Sequence, residues 1–185
     1  MKIPGFRLGI YVFKDVEIVD FAAPHGVFSV ARRFDPELDA FLIPGGYGTR
    51  QEMHNGRLQA FVRALPERTL LTSVCTGSWI YAKMGLLDGL AATNRKEPDR
   101  VEAKPPGMVP IDRLAQMAPK CRVSRARVVD AGRIISAGGI TSGMEMGFHL
   151  LRRAGYDEAF IDDVARVMEY KAAYDVYRGD VERAV

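Results

Sequence analysis

Strand-like and helix-like segments alternate along the chain, and this alternation constrains the fold more than any other feature. Apolar, strand-like runs cover residues 7–13, 39–46 and 68–74, and helix-like periodicity covers residues 24–33 and 57–65. Strands that alternate with helices are typical of βαβ units, in which the strands pair in parallel. The pattern therefore predicts an α/β fold with a mostly parallel sheet.

The rest of the chain continues the pattern. A helix is predicted over residues 76–84 and ends at Gly85, and residues 121–139 read as two strands joined at a turn over 130–132. Two helices complete the prediction, with Asp157 as the N-cap of the last one. The length fits one domain over residues 1–185.

Two stretches do not fit a regular α/β pattern. Residues 94–110 contain four prolines, which predicts irregular structure that either forms a rim near a pocket or is a plain surface loop. Only residues 34–38 separate the first helix from the strand over 39–46, where a doubly wound sheet usually has another strand. The domain is therefore short on that side.

Charge and composition exclude several classes of protein. The formal net charge is +3, and the basic residues are scattered among acids, which argues against nucleic-acid binding. The apolar run near the start is too short and too interrupted to span a membrane or to act as an ordinary signal sequence. The two cysteines have neither metal-ligand nor disulfide spacing, so we expect no metal site and a cytoplasmic location.

Cys75 lies in the stretch SVCTGS, between a buried strand and the start of a helix, with tiny residues on both sides. A nucleophile elbow has this arrangement, because a sharp strand-to-helix turn needs small neighbours. The positive end of the helix dipole is expected to lower the pKa of the thiol. The competing interpretation is a small buried side chain that only fills space.

Backbone amides near Cys75 predict an oxyanion hole. The N–H of Thr76 follows the cysteine directly, and a second donor is expected from the turn at Gly45 and Gly46. Two glycines are equally typical of a tight turn with no further role.

Several motifs in order resemble one known family. They are LIPGG, SVCTGSWIYAKMGLLDGLAAT, ISAGGITSGMEMGFHLL and, near the start, FKDVEIVDFAAPHGVFS. Together they resemble the ThiJ/PfpI family of the class I glutamine amidotransferase-like superfamily, and most of all its isonitrile hydratase branch. The resemblance implies a flavodoxin-like three-layer sandwich with a nucleophile elbow, commonly a homodimer. Family members carry further strands before the second of our predicted strands, so we expect a segment to be omitted near residues 32–36.

The resemblance also implies roles for individual residues. It makes Cys75 the nucleophile and Asp20 its partner carboxyl. Burial and a neighbouring thiolate would raise the pKa of Asp20, so that the carboxyl holds a proton. Without the motif, Asp20 is equally typical of a helix cap. Thr76 and Gly46 match positions that face the substrate. The motif before a late helix places Ile140 and Thr141 at the pocket, although Thr141 is also a candidate N-cap.

The chain departs from the family pattern at the position of a histidine. Many relatives place a histidine after the LLDG segment, whereas this chain has Asn94 and Arg95 there. His25, His54 and His149 match no catalytic position, and we expect them at the surface or the edge of the core. Glu145 stands where relatives often have aspartate. Chemistry that uses a Cys–His pair is therefore disfavoured.

These residues lead to one functional hypothesis and two alternatives. The hypothesis is a cofactor-free, cysteine-dependent enzyme that adds water to an isonitrile, with Cys75 as nucleophile, Asp20 as proton donor and Thr76 positioning the water. The first alternative is glyoxalase-type action on reactive carbonyls, through a hemithioacetal on the cysteine. The second is a redox-sensing cysteine without turnover. A transcription regulator is disfavoured, because few residues follow the last predicted helix.

Overall fold

A computed structural model describes residues 7–31, 39–98 and 109–184. Its strands form one larger sheet and one small one. In chain order the strands are β1 (Leu8–Ile10), β2 (Ala40–Ile43), β3 (Leu70–Val74), β4 (Ala91–Ala92), β5 (Arg122–Val123), β6 (Val128–Ala131), β7 (Ile134–Ala137) and β8 (Val181–Arg183).

The helices of the described residues surround the larger sheet. Most of them are short, and a single turn of 3-10 helix over Cys75–Gly77 precedes α4. In chain order the helices are α1 (Ile18–Ala31), α2 (Thr49–Glu52), α3 (Gly56–Ala64), α4 (Ser78–Lys83), α5 (Pro110–Met117), α6 (Ser142–Arg153), α7 (Glu158–Val167) and α8 (Lys171–Tyr177).

The larger sheet has the strand order β1-β2-β3-β7-β6-β8. The first four strands in this order are parallel, β6 runs antiparallel to β7, and β8 is parallel to β6. All four residues of β2 are buried, as expected for a parallel strand that helices cover on both faces. The carboxyl ends of β2, β3 and β7 therefore meet at one edge of the sheet, where ligands bind in open α/β sheets.

Helices cover the sheet on both faces and make three layers. On one face Phe41 and Ile43 of β2 pack with Leu58 of α3, Trp79 of α4 and Leu114 of α5. The opposite face packs against Met146 and Leu150 of α6. Helices α1, α7 and α8 share a further apolar cluster with α6. The predicted three-layer α/β sandwich is confirmed.

Some predicted boundaries were wrong for physical reasons. Helix α1 begins at Ile18 rather than at 24, because Pro24 is accommodated inside the helix instead of starting it. Pro110, the last residue of the stretch predicted to be irregular, is instead the first residue of α5, where proline is favoured. The part of that prediction over residues 99–108 lies outside the described residues. The chain also continues past the predicted last helix into α8 and β8. The omission predicted near residues 32–36 lies outside the described residues.

None of the helices in residues 7–31, 39–98 and 109–184 combines the length and the apolar character that crossing a bilayer requires.

Candidate active site

Cys75 occupies a strained turn at the end of the central strand β3. Its φ angle is 55°, in the left-handed region that non-glycine residues rarely adopt. Its backbone N–H donates to the carbonyl of Gly138 at 2.5 Å, which ties the turn to the end of β7. A side chain on Gly77 would clash with the carbonyls of Ile43 and Pro44. The predicted elbow and its need for small neighbours are therefore present.

Asp20 lies in the first turn of α1 and is fully buried. Its Oδ2 accepts a hydrogen bond of 2.9 Å from the Gly45 amide, so the side chain crosses to β2 rather than capping its own helix. The other carboxyl oxygen, Oδ1, has no conventional hydrogen-bond partner among the described residues. Burial raises the pKa of Asp20 from 3.8 to about 7, and the charge of Glu17 acts in the same direction. Burial therefore raises this pKa as expected, whereas the charge that adds to the rise is that of Glu17 and not that of a neighbouring thiolate.

Cys75 is only 4% exposed. Burial, with a smaller contribution from the charge of Asp20, raises the pKa of Cys75 from 9.0 to about 12, and Arg95 and Thr76 oppose the rise. The lowered thiol pKa expected from the helix dipole is therefore wrong. The turn after Cys75 is a single 3-10 turn before a six-residue helix, so its dipole is too weak to offset desolvation.

Asp20 and Cys75 form a coupled pair. A hydrogen bond with Cys75 lowers the pKa of Asp20, although burial dominates in the opposite direction. The first proton leaves the pair near neutral pH, and the second leaves only in strong alkali. At neutral pH the pair therefore carries at most one negative charge, which a proton transfer between oxygen and sulfur can relocate.

Gly45 has a different role from the one predicted. Its amide, expected as an oxyanion donor, is bound by Asp20. A Cβ built on Gly45 would lie 2.6 Å from Asp20 Oδ2 and 2.8 Å from Cys75 Cβ, so only glycine fits between the two side chains. Gly45 therefore holds the carboxyl beside the thiol.

Thr76 and Gly46 lie together at the cavity wall. Gly46 has a φ of 117°, and its amide donates to Thr76 Oγ1 at 3.2 Å. Thr49 donates to the same hydroxyl at 3.1 Å. The amide and hydroxyl of Thr76 both stabilise negative charge on the sulfur of Cys75, which is buried and has a raised pKa. The oxyanion role of Gly46 and the water-positioning role of Thr76 remain predictions.

The structure separates the two residues expected before the late helix. Ile140 lines the same cavity as Cys75. Thr141 is exposed, and its hydroxyl accepts a hydrogen bond of 3.0 Å from Arg127 Nη2. It makes no side-chain cap to α6. Thr141 therefore occupies the N-cap position of α6 without a capping side-chain hydrogen bond, and it does not line the cavity as predicted.

A cavity of about 240 Å³ opens above the sulfur. Sequence reasoning missed Arg50 and Tyr47, which follow the two glycines after β2. It also noted Arg95 only as a departure from the family. The signal for these three residues was weak, because their role depends on where loops meet. The cavity is lined by Asp15, Val16, Glu17, Gly46, Tyr47, Arg50, Cys75, Thr76, Arg95 and Ile140.

The histidines lie away from this cavity within the described residues. His25 and His54 are exposed, as expected, but His149 is buried. Its Nε2 lies 2.7 Å from Asp130 Oδ2, and Arg153 also binds that carboxylate. His149 is therefore a buried residue paired with a carboxylate, which corrects the expectation of a position at the surface or the edge of the core.

Comparisons with known proteins agree with the motifs and the fold. The family model described as the DJ-1/PfpI family matches residues 29–153. The chain belongs to the DJ-1/PfpI family. Among solved structures, a ThiJ/PfpI family protein from Pseudomonas syringae has a TM-score of 0.73 at 19% identity, covering 96% of this chain and 90% of that one. DJ-1beta of Drosophila melanogaster has a TM-score of 0.66 at 16% identity, covering 89% of this chain and 97% of that one.

Curated members of the DJ-1/PfpI family that resemble this chain include an enzyme and a regulator. Isonitrile hydratase of Pseudomonas putida is 30% identical over 141 residues, which are 75% of this chain and 54% of that protein. The HTH-type transcriptional regulator GbdR of Pseudomonas aeruginosa is 31% identical over 122 residues, which are 64% of this chain and 29% of the regulator. The chain therefore spans about half of the first relative and less than a third of the second.

Proposed function

We propose that the protein is a cysteine-dependent enzyme that hydrates a small isonitrile to an N-substituted formamide. The observation that carries the proposal is the buried Asp20 carboxyl, held by Gly45 beside the strained Cys75, which itself lines the cavity. The similarity to isonitrile hydratase supports the same reaction class. The pair supplies a nucleophile and a proton carrier without a histidine.

In the first step the sulfur of Cys75 bonds to the terminal carbon of the isonitrile. The thiol proton passes to the Asp20 carboxylate as this bond forms, and Asp20 then delivers it to the same carbon. The product is a thioimidate in which that carbon carries one hydrogen, a single bond to sulfur and a double bond to nitrogen. A pKa of about 7 suits Asp20 to both halves of the transfer.

In the second step water resolves the thioimidate. Its oxygen bonds to the carbon while Asp20 removes a proton from it and passes the proton to the nitrogen. The carbon–sulfur bond then breaks, the new hydroxyl becomes the formyl oxygen, and its proton returns to the sulfur. The sum is one isonitrile and one water converted to one formamide, with the pair restored.

Incubation of the purified protein with cyclohexyl isonitrile tests the proposal, with formamide followed by NMR. We expect turnover in the wild type, none in Cys75→Ala, and a loss of about a hundredfold or more in Asp20→Asn. Cys121→Ser is the matched control, because Cys121 packs in the apolar cluster of α3, α4 and α5. A wild type that forms no formamide, or Cys75→Ala at the wild-type rate, refutes the assignment.

The two alternatives use the same sulfur but differ in the reaction and in the protonation state that the sulfur needs. If the protein converts methylglyoxal to lactate and does not hydrate an isonitrile, the glyoxalase assignment replaces the hydratase assignment. A redox sensor needs a thiolate at neutral pH, and burial raises the pKa of Cys75 to about 12, which disfavours that alternative.

The homodimer implied by the family resemblance remains a prediction. Val12 and Ile18 leave apolar side chains exposed on either side of the segment that lines the cavity, at 60% and 65% exposure. A second copy that covers this surface would remove it from water. Sedimentation equilibrium of the wild type and of Ile18→Glu measures this, since we expect a dimer that the substitution weakens.

A further inference from the structure

Two arginines line the same cavity as the candidate nucleophile. Arg50 is half-buried, and its Nη1 donates to the Gly46 carbonyl at 3.0 Å and to Thr49 Oγ1 at 3.1 Å. Its guanidinium lies 4.6 Å from the centre of the Trp79 ring. Stacking and hydrogen bonds already hold this cation in one position. A ligand that binds it therefore causes little further loss of side-chain entropy.

Arg95 enters the cavity from the segment after β4. Its carbonyl accepts from the Ile111 amide at 3.0 Å, which anchors the segment to the start of α5. A Cβ on Gly139 would lie 2.9 Å from both Cβ and Cγ of Arg95, so the absence of a side chain there makes room for the arginine stem. Arg95 lines the cavity together with Cys75. Burial raises the pKa of Asp20 and of Cys75, and the charge of Arg95 opposes both rises.

The acids of the same wall do not offset this charge at the sulfur. The side chain of Asp15 is exposed. Glu17 Oε1 accepts a hydrogen bond of 3.3 Å from the Val19 amide, so this carboxylate lies at the start of α1. Among the charged groups that act on Cys75, the Asp20 carboxyl raises the pKa of the thiol and Arg95 lowers it. Arg95 and Arg50 are the cations of the cavity lining.

We propose that this pocket favours an anionic substrate, a small molecule with a carboxylate a few bonds from its electrophilic carbon, over a neutral one of similar size. Arg95 and Arg50 bind the carboxylate while Cys75 faces the carbon. This inference rests on the proposed function for its substrate, an isonitrile acid. Guanidinium groups bind carboxylates through paired, charge-assisted hydrogen bonds. A cavity of about 240 Å³ suits a ligand below drug size.

The first experiment compares isocyanoacetate with its methyl ester, which removes the charge and keeps the reacting group. We expect kcat/KM to be about tenfold or more higher for the acid. Arg95→Gln removes that preference by raising KM for the acid more than for the ester, so the acid-to-ester ratio of kcat/KM falls toward one, whereas Arg95→Lys keeps part of the preference. Arg57→Gln, an exposed site on α3, is the matched change of charge and leaves both rates as they were.

The second experiment does not need turnover. Alkylation of Cys75 by iodoacetate and by iodoacetamide is compared by site-resolved mass spectrometry. A developing thiolate repels iodoacetate, so a pocket without cations favours the amide, whereas we expect the wild type to favour the acid. Arg95→Gln and Arg50→Gln reverse that ratio, and Arg57→Gln does not.

The two experiments separate the inference from the function on which it rests. A preference for iodoacetate without hydration of any isonitrile refutes the hydratase and supports the anion pocket. Hydration with an equal or greater rate for the ester, or an alkylation ratio that Arg95→Gln leaves unchanged, refutes the anion pocket alone. A preference for cationic isonitriles also refutes it, and assigns specificity to Asp15 and Glu17.

Discussion

Replacing Asp20 with asparagine tests the central electrostatic feature of the site through stability rather than activity. Asparagine keeps the shape of the carboxyl and an acceptor for the Gly45 amide, but it does not titrate. The folded protein raises the pKa of Asp20 to about 7, whereas its ordinary value is 3.8. Between these values the folded state holds a proton that the unfolded chain has released. The free energy of unfolding therefore falls as the pH rises through this range.

The size of the effect follows from the same two values. The interval of about three pH units, at 1.36 kcal/mol for each unit, corresponds to about 4 kcal/mol. The side chain is fully buried, so solvent screening does not reduce this figure. The contribution of Asp20 to the free energy of unfolding of the wild type is fully present below about pH 4 and is lost above about pH 7. The free energy of unfolding of Asp20→Asn should therefore increase relative to that of the wild type by up to about 4 kcal/mol as the pH rises.

Urea denaturation at several pH values between 4 and 8 measures the difference in free energy of unfolding between the two proteins. Other titrating groups are common to both and cancel in the difference. Glu67→Gln, at an exposed position, is the control and should show no trend. A difference that stays constant across the pH range, or that grows toward low pH, would mean that Asp20 is ionised without cost in the folded state. The proton-transfer scheme would then lose its carrier.

Three further substitutions test the packing around the site, each by urea denaturation. Gly45→Ala puts a methyl group 2.6 Å from Asp20 Oδ2 and should lower the free energy of unfolding by about 1 to 3 kcal/mol. In the control Gly56→Ala the new methyl group meets nothing within 4 Å, so the change should be neutral or stabilising. Equal effects of the two substitutions would contradict this prediction. Leu114→Ala opens a cavity at a fully buried position and should cost about 2 to 5 kcal/mol; a loss below about 1 kcal/mol would show that α5 does not pack as described. Glu145→Gln removes a buried charge whose Oε2 lies 2.7 Å from Arg127 Nη2, and it should lower the free energy of unfolding by about 2 to 3 kcal/mol. A neutral result would show that this ion pair is solvated.

The sequence by itself determined the layers of the fold and the position of the turn at Cys75. Alternating apolar runs specify strands and helices locally, and a strand buried on both faces is apolar at every position, as in β2. The small residues around Cys75 predicted the strained turn, because only they permit close approach of the backbone. The motif that contains Asp20 also predicted a carboxyl with a raised pKa.

Only the tertiary structure decided how charge is distributed around the sulfur. The sequence predicted a thiol activated by a helix dipole, but burial raises its pKa instead. The amide of Gly45 binds Asp20, and Thr141 turns toward Arg127. Arg95 reaches the cavity from a different loop. Desolvation and pairing depend on atoms brought together from distant segments, and no local pattern of residues encodes those distances.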